Sequence, residues 1–339
     1  MKVLIALSGG VDSSMSAKIL LDAGFSVIGC YMMLHDKPNY HEKNIANVQK
    51  VGDFLGIKTQ ILNLKEQFKH DVYDLFVSSY AKGITPNPCA HCNRLIKFGA
   101  LWEFAKKNDC QKIATGHYAR IENGLLKAAV DKSKDQSYFL SNIEPAVLSH
   151  IIFPLGDKLK KDIKANAAKF PQIAELATQK ESSEICFVEN SYTEILARHF
   201  NTQMRGVVRD SAGRAIGEHD GYMNYTIGKR KGFRVHGAHE PHFVTAINPE
   251  NNEISVGLKK ELEKTSFETL NFNNFTNETN FKCFVKIRYK SEPVPCVVRQ
   301  NGRGGVFVEL LRPASAIASG QLACFYDEQA RVLASGFIA

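Results

Sequence analysis

Short apolar runs alternate with amphipathic stretches through the first half of the 339-residue chain. The apolar runs predict buried β-strands at residues 3–7, 26–31, 59–64 and 112–115. Apolar residues three or four positions apart predict helices at residues 13–23, 42–55, 66–80 and 94–107. This alternation is typical of an α/β fold with a doubly wound parallel sheet, in which ligands bind outside the carboxyl ends of the strands.

The pattern changes twice further along the chain. Residues 160–200 become helical, most clearly at 162–170 and 192–200, and turn signals at 210–213, 248–251 and 300–303 then separate short β-rich segments. Strands predicted near residues 281–288, 294–299, 305–311, 322–326 and 330–335 indicate a small β-barrel. We therefore expect a catalytic α/β domain with a helical extension (1–203), a small β-rich central domain (204–271) and a C-terminal β-barrel (272–339).

The loop after the first predicted strand has the sequence Ser-Gly-Gly-Val-Asp-Ser-Ser, from Ser8 to Ser14. Its glycines let a ligand approach the backbone, and serine hydroxyls stand beside the free N–H groups of the following helix N-terminus. A Walker motif is excluded because its lysine is missing. The loop resembles the pyrophosphate loop of ATP pyrophosphatases, which implies attack on the α-phosphate of ATP. The structural alternative is a glycine-rich turn that binds nothing.

Composition narrows the class of protein. The net charge of +8, from 43 Lys and Arg against 35 Asp and Glu, is compatible with a polyanionic partner such as RNA but does not require one. Because the apolar runs are too short to cross a bilayer and Met1 leads directly into a core strand, we expect a cytoplasmic protein without a membrane partner. Its eight cysteines are then expected to be reduced, which points to reactivity or metal binding.

Three cysteines stand out from the rest. Cys89 and Cys92 lie in a proline-rich, polar loop, and the helix predicted to begin near Arg94 would place Cys92 close to its N-terminus and lower the pKa of the thiol. Cys186 is the third candidate, although the neighbouring Glu184 would raise its pKa. A zinc half-site is an alternative that lacks the usual four ligands. The remaining cysteines suit the role of small core residues: Cys30, Cys110, Cys283, Cys296 and Cys324.

Several further segments occur in a familiar order. They are Gly116-His117-Tyr118, Lys134-Asp-Gln-Ser-Tyr-Phe-Leu140, Phe153-Pro-Leu-Gly156, Tyr225-Thr-Ile-Gly-Lys-Arg-Lys-Gly232 and Lys286-Ile-Arg-Tyr289. Together with the phosphate loop, the Asn-Pro-x-x-x-Cys-Asn loop at 87–93 and Ile-Cys-Phe at 185–187, they make the chain resemble the tRNA-specific 2-thiouridylase family, also called the MnmA or TrmU family. The resemblance runs over nearly the whole chain.

The resemblance implies a two-step reaction. ATP, with Mg²⁺, adenylates O2 of the wobble uridine in tRNA, and sulfur then displaces AMP at C2, which gives 2-thiouridine, AMP and pyrophosphate. Sulfur would arrive as a persulfide from a cysteine desulfurase or a relay protein. By the family pattern Cys186 carries the persulfide, and Cys92 is the second catalytic thiol, which ends disulfide-bonded to Cys186.

The resemblance also assigns binding residues. Those expected at ATP are Ala6, Leu7, Ser8, Gly9, Gly10, Val11, Asp12, Ser13, Met32 and Gly116. Those expected at tRNA are Asn87, Pro88, Cys89, His117, Lys134, Asp135, Gln136, Arg288, Tyr289 and Gln321, and the central domain is expected to bind tRNA as well. Structural alternatives are a helix cap at 134–136, an exposed strand end at 288–289 and a core position for Met32.

Cys89 departs from the family pattern, because many members have Asp at this position. Cys89, Cys92 and Cys186 could instead hold an iron–sulfur cluster with one open iron, which we rank second to the persulfide route. Two other functions are weaker interpretations of the sequence. An ATP pyrophosphatase-type ligase acting on a small metabolite would leave the cysteines unexplained, and a pure RNA-binding protein would leave the phosphate loop unexplained.

Overall fold

The computed structural model describes residues 1–37, 39–179 and 185–339. These residues divide into two compact units. The first unit contains Met1–Val72, Cys89–Phe187 and Asp327–Leu333, and the second contains Tyr73–Pro88, Val188–Tyr326 and Ala334–Ala339. None of the helices in the described ranges is both long and apolar enough to span a membrane.

The α-helices of the described ranges are α1 (Val11–Asp22), α2 (Tyr40–Leu55), α3 (Lys65–Phe68), α4 (Asp74–Ala81), α5 (Pro88–His91), α6 (Leu101–Lys107), α7 (Ser137–Leu140), α8 (Lys160–Ala167), α9 (Ala174–Thr178) and α10 (Tyr192–Ala197). Lys69–Tyr73 and Cys92–Ala100 are π-helical, and Pro145–His150, Tyr222–Asn224 and Lys259–Leu262 are short 3₁₀ turns.

The first unit is built on a parallel sheet with strand order β3-β2-β1-β4-β7. The strands are β1 (Lys2–Ala6), β2 (Ser26–Met33), β3 (Thr59–Asn63), β4 (Lys112–Ala114), the hairpin β5 (Ala119–Glu122) and β6 (Leu125–Ala128), and β7 (Ile151–Ile152). Apolar residues of β1 pack against α1 and α2, while α6 packs against β1 and β4. The chain runs from β1 through β2 to β3 on one side of β1 and then crosses to β4 on the other side. The crevice of this doubly wound sheet therefore opens between β1 and β4. The predicted α/β fold is confirmed.

A segment from near the end of the chain completes the first unit. Residues Asp327–Leu333 lie against the β5–β6 hairpin, where the backbone N–H of Ala128 donates to the carbonyl of Ala330 at 2.9 Å. Lys127 and Arg331 form an antiparallel bridge beside this bond. The edge of the hairpin is therefore paired by residues distant in sequence.

The second unit contains two β structures, as the sequence predicted. Its five-stranded sheet has the order β10-β9-β8-β12-β11, with β8 (Gly206–Arg209), β9 (Ala215–His219), β10 (Phe233–Val235), β11 (Phe243–Asn248) and β12 (Glu253–Gly257). Helices α4 and α10 belong to the same unit and meet through Tyr80 and Tyr192, whose stacked rings lie 4.7 Å apart.

The C-terminal strands close into a barrel of order β13-β16-β15-β14-β17-β18. They are β13 (Glu263–Asn274), β14 (Asn280–Lys286), β15 (Val294–Gln300), β16 (Val306–Ser315), β17 (Leu322–Tyr326) and β18 (Val332–Ile338). The barrel prediction is confirmed, but it missed β13, whose many polar residues obscure its alternation. The boundary expected near residue 272 falls inside this strand, and the division into three domains stays a prediction. Cys283, Cys296 and Cys324 are buried here as predicted.

Candidate active site

The phosphate loop connects β1 to α1 at the carboxyl edge of the sheet. The backbone N–H of Ser8 donates to Oγ of Ser13 at 3.1 Å, and the hydroxyls of Ser13 and Ser14 donate to the carbonyl of Gly10 at 3.1 and 2.9 Å. Gly9 has a φ of +78°, which favours glycine, and within the described ranges the neighbour that a Cβ at Gly10 would meet is Oγ of Ser8, at 3.5 Å. The space beside Gly10 is thus open at the N-terminus of α1, where an anion is favoured.

Gly116 follows β4 and packs on this loop. A Cβ at this position would lie 2.9 Å from the backbone nitrogen of Ser13 and 3.0 Å from the carbonyl carbon of Asp12, so the close approach requires glycine. The structure therefore brings together two segments that were predicted to share one ATP site. Met32, the other predicted adenosine contact, is half-buried near the end of β2.

Asp12 is held by two side chains from other segments. Nζ of Lys160 lies 2.6 and 2.5 Å from its carboxylate oxygens, and the hydroxyl of Tyr118 donates to it at 2.9 Å. The side chain of Lys160 is 10% exposed, and its backbone N–H donates to Asp131 at 2.9 Å. Sequence reasoning missed Lys160, since it lies far from the loop and in no motif. The missing Walker lysine was the one available hint that a cation would come from elsewhere.

The helix that carries Cys92 begins earlier than predicted. It starts with α5 at Pro88 and continues through the π-helical segment into α6, so Cys92 lies beyond the first turn rather than at the N-terminus. Burial raises the pKa of Cys92 to about 12. The predicted lowering is wrong, because desolvation of the thiolate outweighs the helix dipole at this position.

Burial is the largest influence on the pKa of each of the three candidate thiols. Burial raises the pKa of Cys89 and raises that of Cys186 to about 11, although Cys186 as a whole residue is exposed. The charges of Cys186 and Cys89 add to the raised pKa of Cys92, whereas Lys97 lowers the pKa of all three thiols. Next to Cys186, the ring of Phe187 packs edge-on against Phe68 at 5.6 Å. Glu184, expected to act on Cys186, lies outside the described residues.

His117, the residue after Gly116, contacts Lys97, which lies on the same helical segment as Cys92. Its Nδ1 lies 2.6 Å from Oγ1 of Thr115, and its Nε2 lies 3.4 Å from Nζ of Lys97. Burial and then the Lys97 charge lower the pKa of His117 well below its usual value, so the imidazole is neutral and can accept a hydrogen bond from Lys97. Lys97 was not identified from the sequence, where it is one lysine of an amphipathic helix.

The predicted tRNA contacts at 134–136 are half-buried and tied to their own unit. The carboxylate of Asp135 accepts the N–H groups of Ala129 and Ser137 and the Ser137 hydroxyl, at 3.0, 3.2 and 2.8 Å. Oε1 of Gln136 accepts the N–H of Tyr118 at 3.0 Å. These two side chains therefore hold the loop before α7, although Gln136 makes no side-chain capping bond to that helix. Contact between Lys134–Gln136 and tRNA stays a prediction.

Further predicted tRNA contacts lie in the second unit. Nη2 of Arg288 donates to the carbonyls of Ile227 and Ala316, both at 2.8 Å, and Nε2 of Gln321 donates to the carbonyls of Thr85 and Pro86, both at 3.1 Å. Both side chains thus fix loops of this unit. The loop held by Gln321 leads directly into Asn87, which is buried, and Pro88. The ring of Tyr289 lies 5.8 Å from Nζ of Lys286.

No group of three or more His, Cys, Asp or Glu side chains within residues 1–37, 39–179 and 185–339 is arranged to hold a metal ion. Cys89, Cys92 and Cys186 all belong to these ranges, so their present arrangement does not fit a cluster site.

Known proteins match the chain over its whole length. Family models described as the HUP and PRC-barrel domains of tRNA methyl transferase match residues 1–190 and 193–258, and an aminomethyltransferase β-barrel domain matches residues 262–338. The tRNA-specific 2-thiouridylases MnmA of Campylobacter fetus and Campylobacter lari are 66% and 55% identical, and each alignment covers 100% of both chains.

A solved structure of a predicted tRNA methyltransferase subunit from Methanocaldococcus jannaschii aligns with 50% of this chain and 75% of its own, at 19% identity and a TM-score of 0.34, too low to support a conclusion. Identity of 66% over the full length of both chains is sufficient to establish the family. The chain belongs to the tRNA-specific 2-thiouridylase family.

Proposed function

We infer that the protein is an ATP-dependent tRNA-uridine 2-sulfurtransferase, which forms 2-thiouridine at the wobble position of tRNA. One series of contacts carries this inference. The phosphate loop packs on Gly116, the next residue His117 binds Lys97, and Lys97 lies on the same helical segment as Cys92. A site for ATP and a site for sulfur transfer are thus joined through four consecutive residues, 115–118, after β4.

The activation half of the reaction belongs to the loop after β1. Its open space beside Gly10 and the helix N-terminus suit the phosphates of ATP, and Lys160 supplies positive charge beside Asp12. Uridine O2 attacks the α-phosphorus, and the bond to pyrophosphate breaks. Mg²⁺ would enter with ATP, and Asp12 offers the hard oxygen ligands that this ion prefers.

The transfer half belongs to the thiols. A sulfur-donor protein loads Cys186 with a persulfide, whose terminal sulfur attacks C2 while the C2–O bond to AMP breaks. The Cys92 thiolate then attacks the Cys186 sulfur, which releases 2-thiouridine and leaves a Cys92–Cys186 disulfide. A dithiol reductant restores both thiols before the next turnover.

We assign tRNA binding to the β-rich parts, residues 204–271 and 272–339, in addition to the loops around the thiols. The exposed side chains of Arg230 and Lys231 suit contacts with phosphates. Lys229 is less suited, because its Nζ already donates to the carbonyl of Asn224 at 2.6 Å.

The test is the amount of 2-thiouridine in tRNA from a deletion strain that expresses each variant, measured by mass spectrometry of nucleosides. Cys92→Ser and Cys186→Ser should lose the modification, whereas the control Cys110→Ser, a buried cysteine bonded to the carbonyl of Asn108, should keep it. Full modification in the Cys92→Ser strain would overturn the proposed function of this thiol.

Cys89→Ser separates the persulfide route from the iron–sulfur alternative. In the persulfide route Cys89 exchanges no sulfur, so the variant should retain measurable thiolation. The cluster route requires Cys89 as a ligand, and the variant should then lose both iron and activity. Iron-loaded wild type together with an inactive, iron-free Cys89→Ser, both purified anaerobically, would favour the cluster.

A further inference from the structure

We propose that Lys97 is the cation that makes the thiols of Cys92 and Cys186 reactive, and that His117 positions its ammonium group for this task. The proposal rests on the sulfur-transfer function above and assigns the group that stabilises its anionic sulfur. Nothing in the sequence pattern around Lys97 distinguishes this lysine from its neighbours. Its position in the fold distinguishes it.

The π-helical winding of Cys92–Ala100 sets the direction of Lys97. In an α-helix, two residues five positions apart point about 140° away from each other, at 3.6 residues per turn. A π-helix closes its backbone hydrogen bonds between residues five apart, so Lys97 returns toward the face that carries Cys92. Such segments are frequently found at functional sites.

His117 fixes the head of the lysine. Its neutral Nε2 accepts one N–H of Lys97 at 3.4 Å, and Thr115 holds the other ring nitrogen at 2.6 Å. An ammonium group has three N–H donors, so Lys97 can donate to sulfur as well as to His117. A neutral imidazole at this position orients Lys97 without adding a second positive charge.

The charged and titratable groups around the thiols explain why a cation is needed. Burial raises the pKa of all three thiols, and Lys97 lowers each of them. Cys186 and Cys89 further raise the pKa of Cys92, and Cys89 raises that of Cys186. Burial, and then the charge of Cys186, raises the pKa of Tyr40 on α2, so its neutral hydroxyl adds no positive charge beside Cys186. Each sulfur species of the proposed reaction is an anion when it attacks, so a single cation shared by the thiols serves every step.

The experiment measures thiol reactivity in the full-length protein without ATP, tRNA or sulfur donor. Iodoacetamide alkylates the thiolate with loss of iodide, and peptide mass spectrometry gives separate rates for Cys92 and Cys186 between pH 7.5 and 9.5. Loss of a nearby cation raises a thiol pKa by about 1 to 2 units. Because a more basic thiolate is also a better nucleophile, with a Brønsted coefficient of about 0.4 to 0.5, Lys97→Met should slow alkylation by about 3- to 10-fold.

Two further variants test whether the charge of Lys97 is responsible for the change in alkylation rate. Lys97→Arg keeps the charge and should restore alkylation to within about twofold of wild type, which a purely structural role would not predict. Lys106→Met, on α6, removes an exposed lysine whose partner is the exposed Glu103 and should leave both rates unchanged. If Lys97→Met fails to fold, Lys97→Gln replaces it with the same expectation.

Unchanged alkylation of both thiols in a folded Lys97→Met or Lys97→Gln variant would overturn the proposal. This outcome is distinct from failure of the proposed function, which the nucleoside assay with Cys92→Ser detects in cells. If alkylation depends on Lys97 but the protein makes no 2-thiouridine, the proposal for Lys97 stands and the proposed function is rejected.

Discussion

The ion pair between Lys160 and Asp12 offers a direct test of what holds the phosphate loop in place. Lys160→Met keeps the apolar stem of the side chain and removes the ammonium group from two short contacts with the Asp12 carboxylate. The carboxylate then keeps the Tyr118 hydroxyl and the N-terminus of α1 as its stabilising partners. We expect the free energy of unfolding to fall.

The magnitude follows from burial. Exposed ion pairs contribute about 0.2 to 1 kcal/mol, whereas removing one partner of a fully buried pair costs about 3 to 5 kcal/mol. The Lys160 side chain is 10% exposed and that of Asp12 is 34% exposed, which places the pair between these limits. We therefore expect a loss of about 2 kcal/mol, and the double variant with Asp12→Asn should lose less than the sum of the single variants.

The same helix supplies a matched control. Lys18 and Asp22 form an ion pair at the other end of α1, with side chains 23% and 62% exposed. Lys18→Met removes this ion pair, worth about 0.3 to 0.5 kcal/mol, and a contact of Nζ with the Phe170 ring at 5.2 Å, worth about 0.5 to 1 kcal/mol, so it should cost less than Lys160→Met.

Trp102 makes the measurement specific to the first unit. It is the single tryptophan of the sequence, lies in α6 and stacks on His150 at 4.5 Å. Its fluorescence during urea unfolding should show a midpoint lower by about 1 M for Lys160→Met, at an m value of about 2 kcal/mol/M. If Lys160→Met and Lys18→Met shift the midpoint equally, the Asp12 pair does not stabilise the loop as argued.

Two other predictions follow from single positions. Gly116→Ala should abolish ATP binding in isothermal titration calorimetry by displacing the backbone at Asp12 and Ser13, and wild-type affinity in this variant would contradict the close packing seen here. Burial, followed by the charges of His41 and Lys37, lowers the pKa of His35 to about 4, so the folded state favours the neutral imidazole. The free energy of unfolding therefore falls as the pH decreases from about 6.5 to about 4. His35→Asn should flatten the dependence of the Trp102 unfolding midpoint over this pH range, and an unchanged slope would assign the dependence to other groups.

The first βαβ unit could be predicted because its signals are local. The apolar run of β1, the paired glycines and the amphipathic α1 are adjacent in sequence and each indicates the same turn. The barrel was predicted with one strand too few, since β13 exposes many polar residues and has irregular pairing with both of its neighbours. Alternation alone identifies a strand only where one face is consistently buried.

The details of the thiol site were harder to predict. An Asn before Pro88 is a recognisable helix start, but the sequence analysis predicted a start near Arg94. Lys97 and Lys160 carry no local signal, because their importance arises from winding and from long-range contact. The thiol pKa error has the same origin, since desolvation depends on the surrounding fold and not on neighbouring residues in the sequence.

The pairing of Ala128 with Ala330 cannot form until the ribosome has synthesised nearly all of the 339 residues. The sheet from β1 to β7 is available after Ile152 has been made, yet the segment that completes the hairpin edge follows roughly two hundred residues later. At 5 to 20 residues per second, the ribosome needs about 10 to 40 s to supply it. During this interval the nascent unit exposes an unpaired strand edge to chaperones and to other chains. A chain truncated before Asp327 would lack the segment that pairs with this edge.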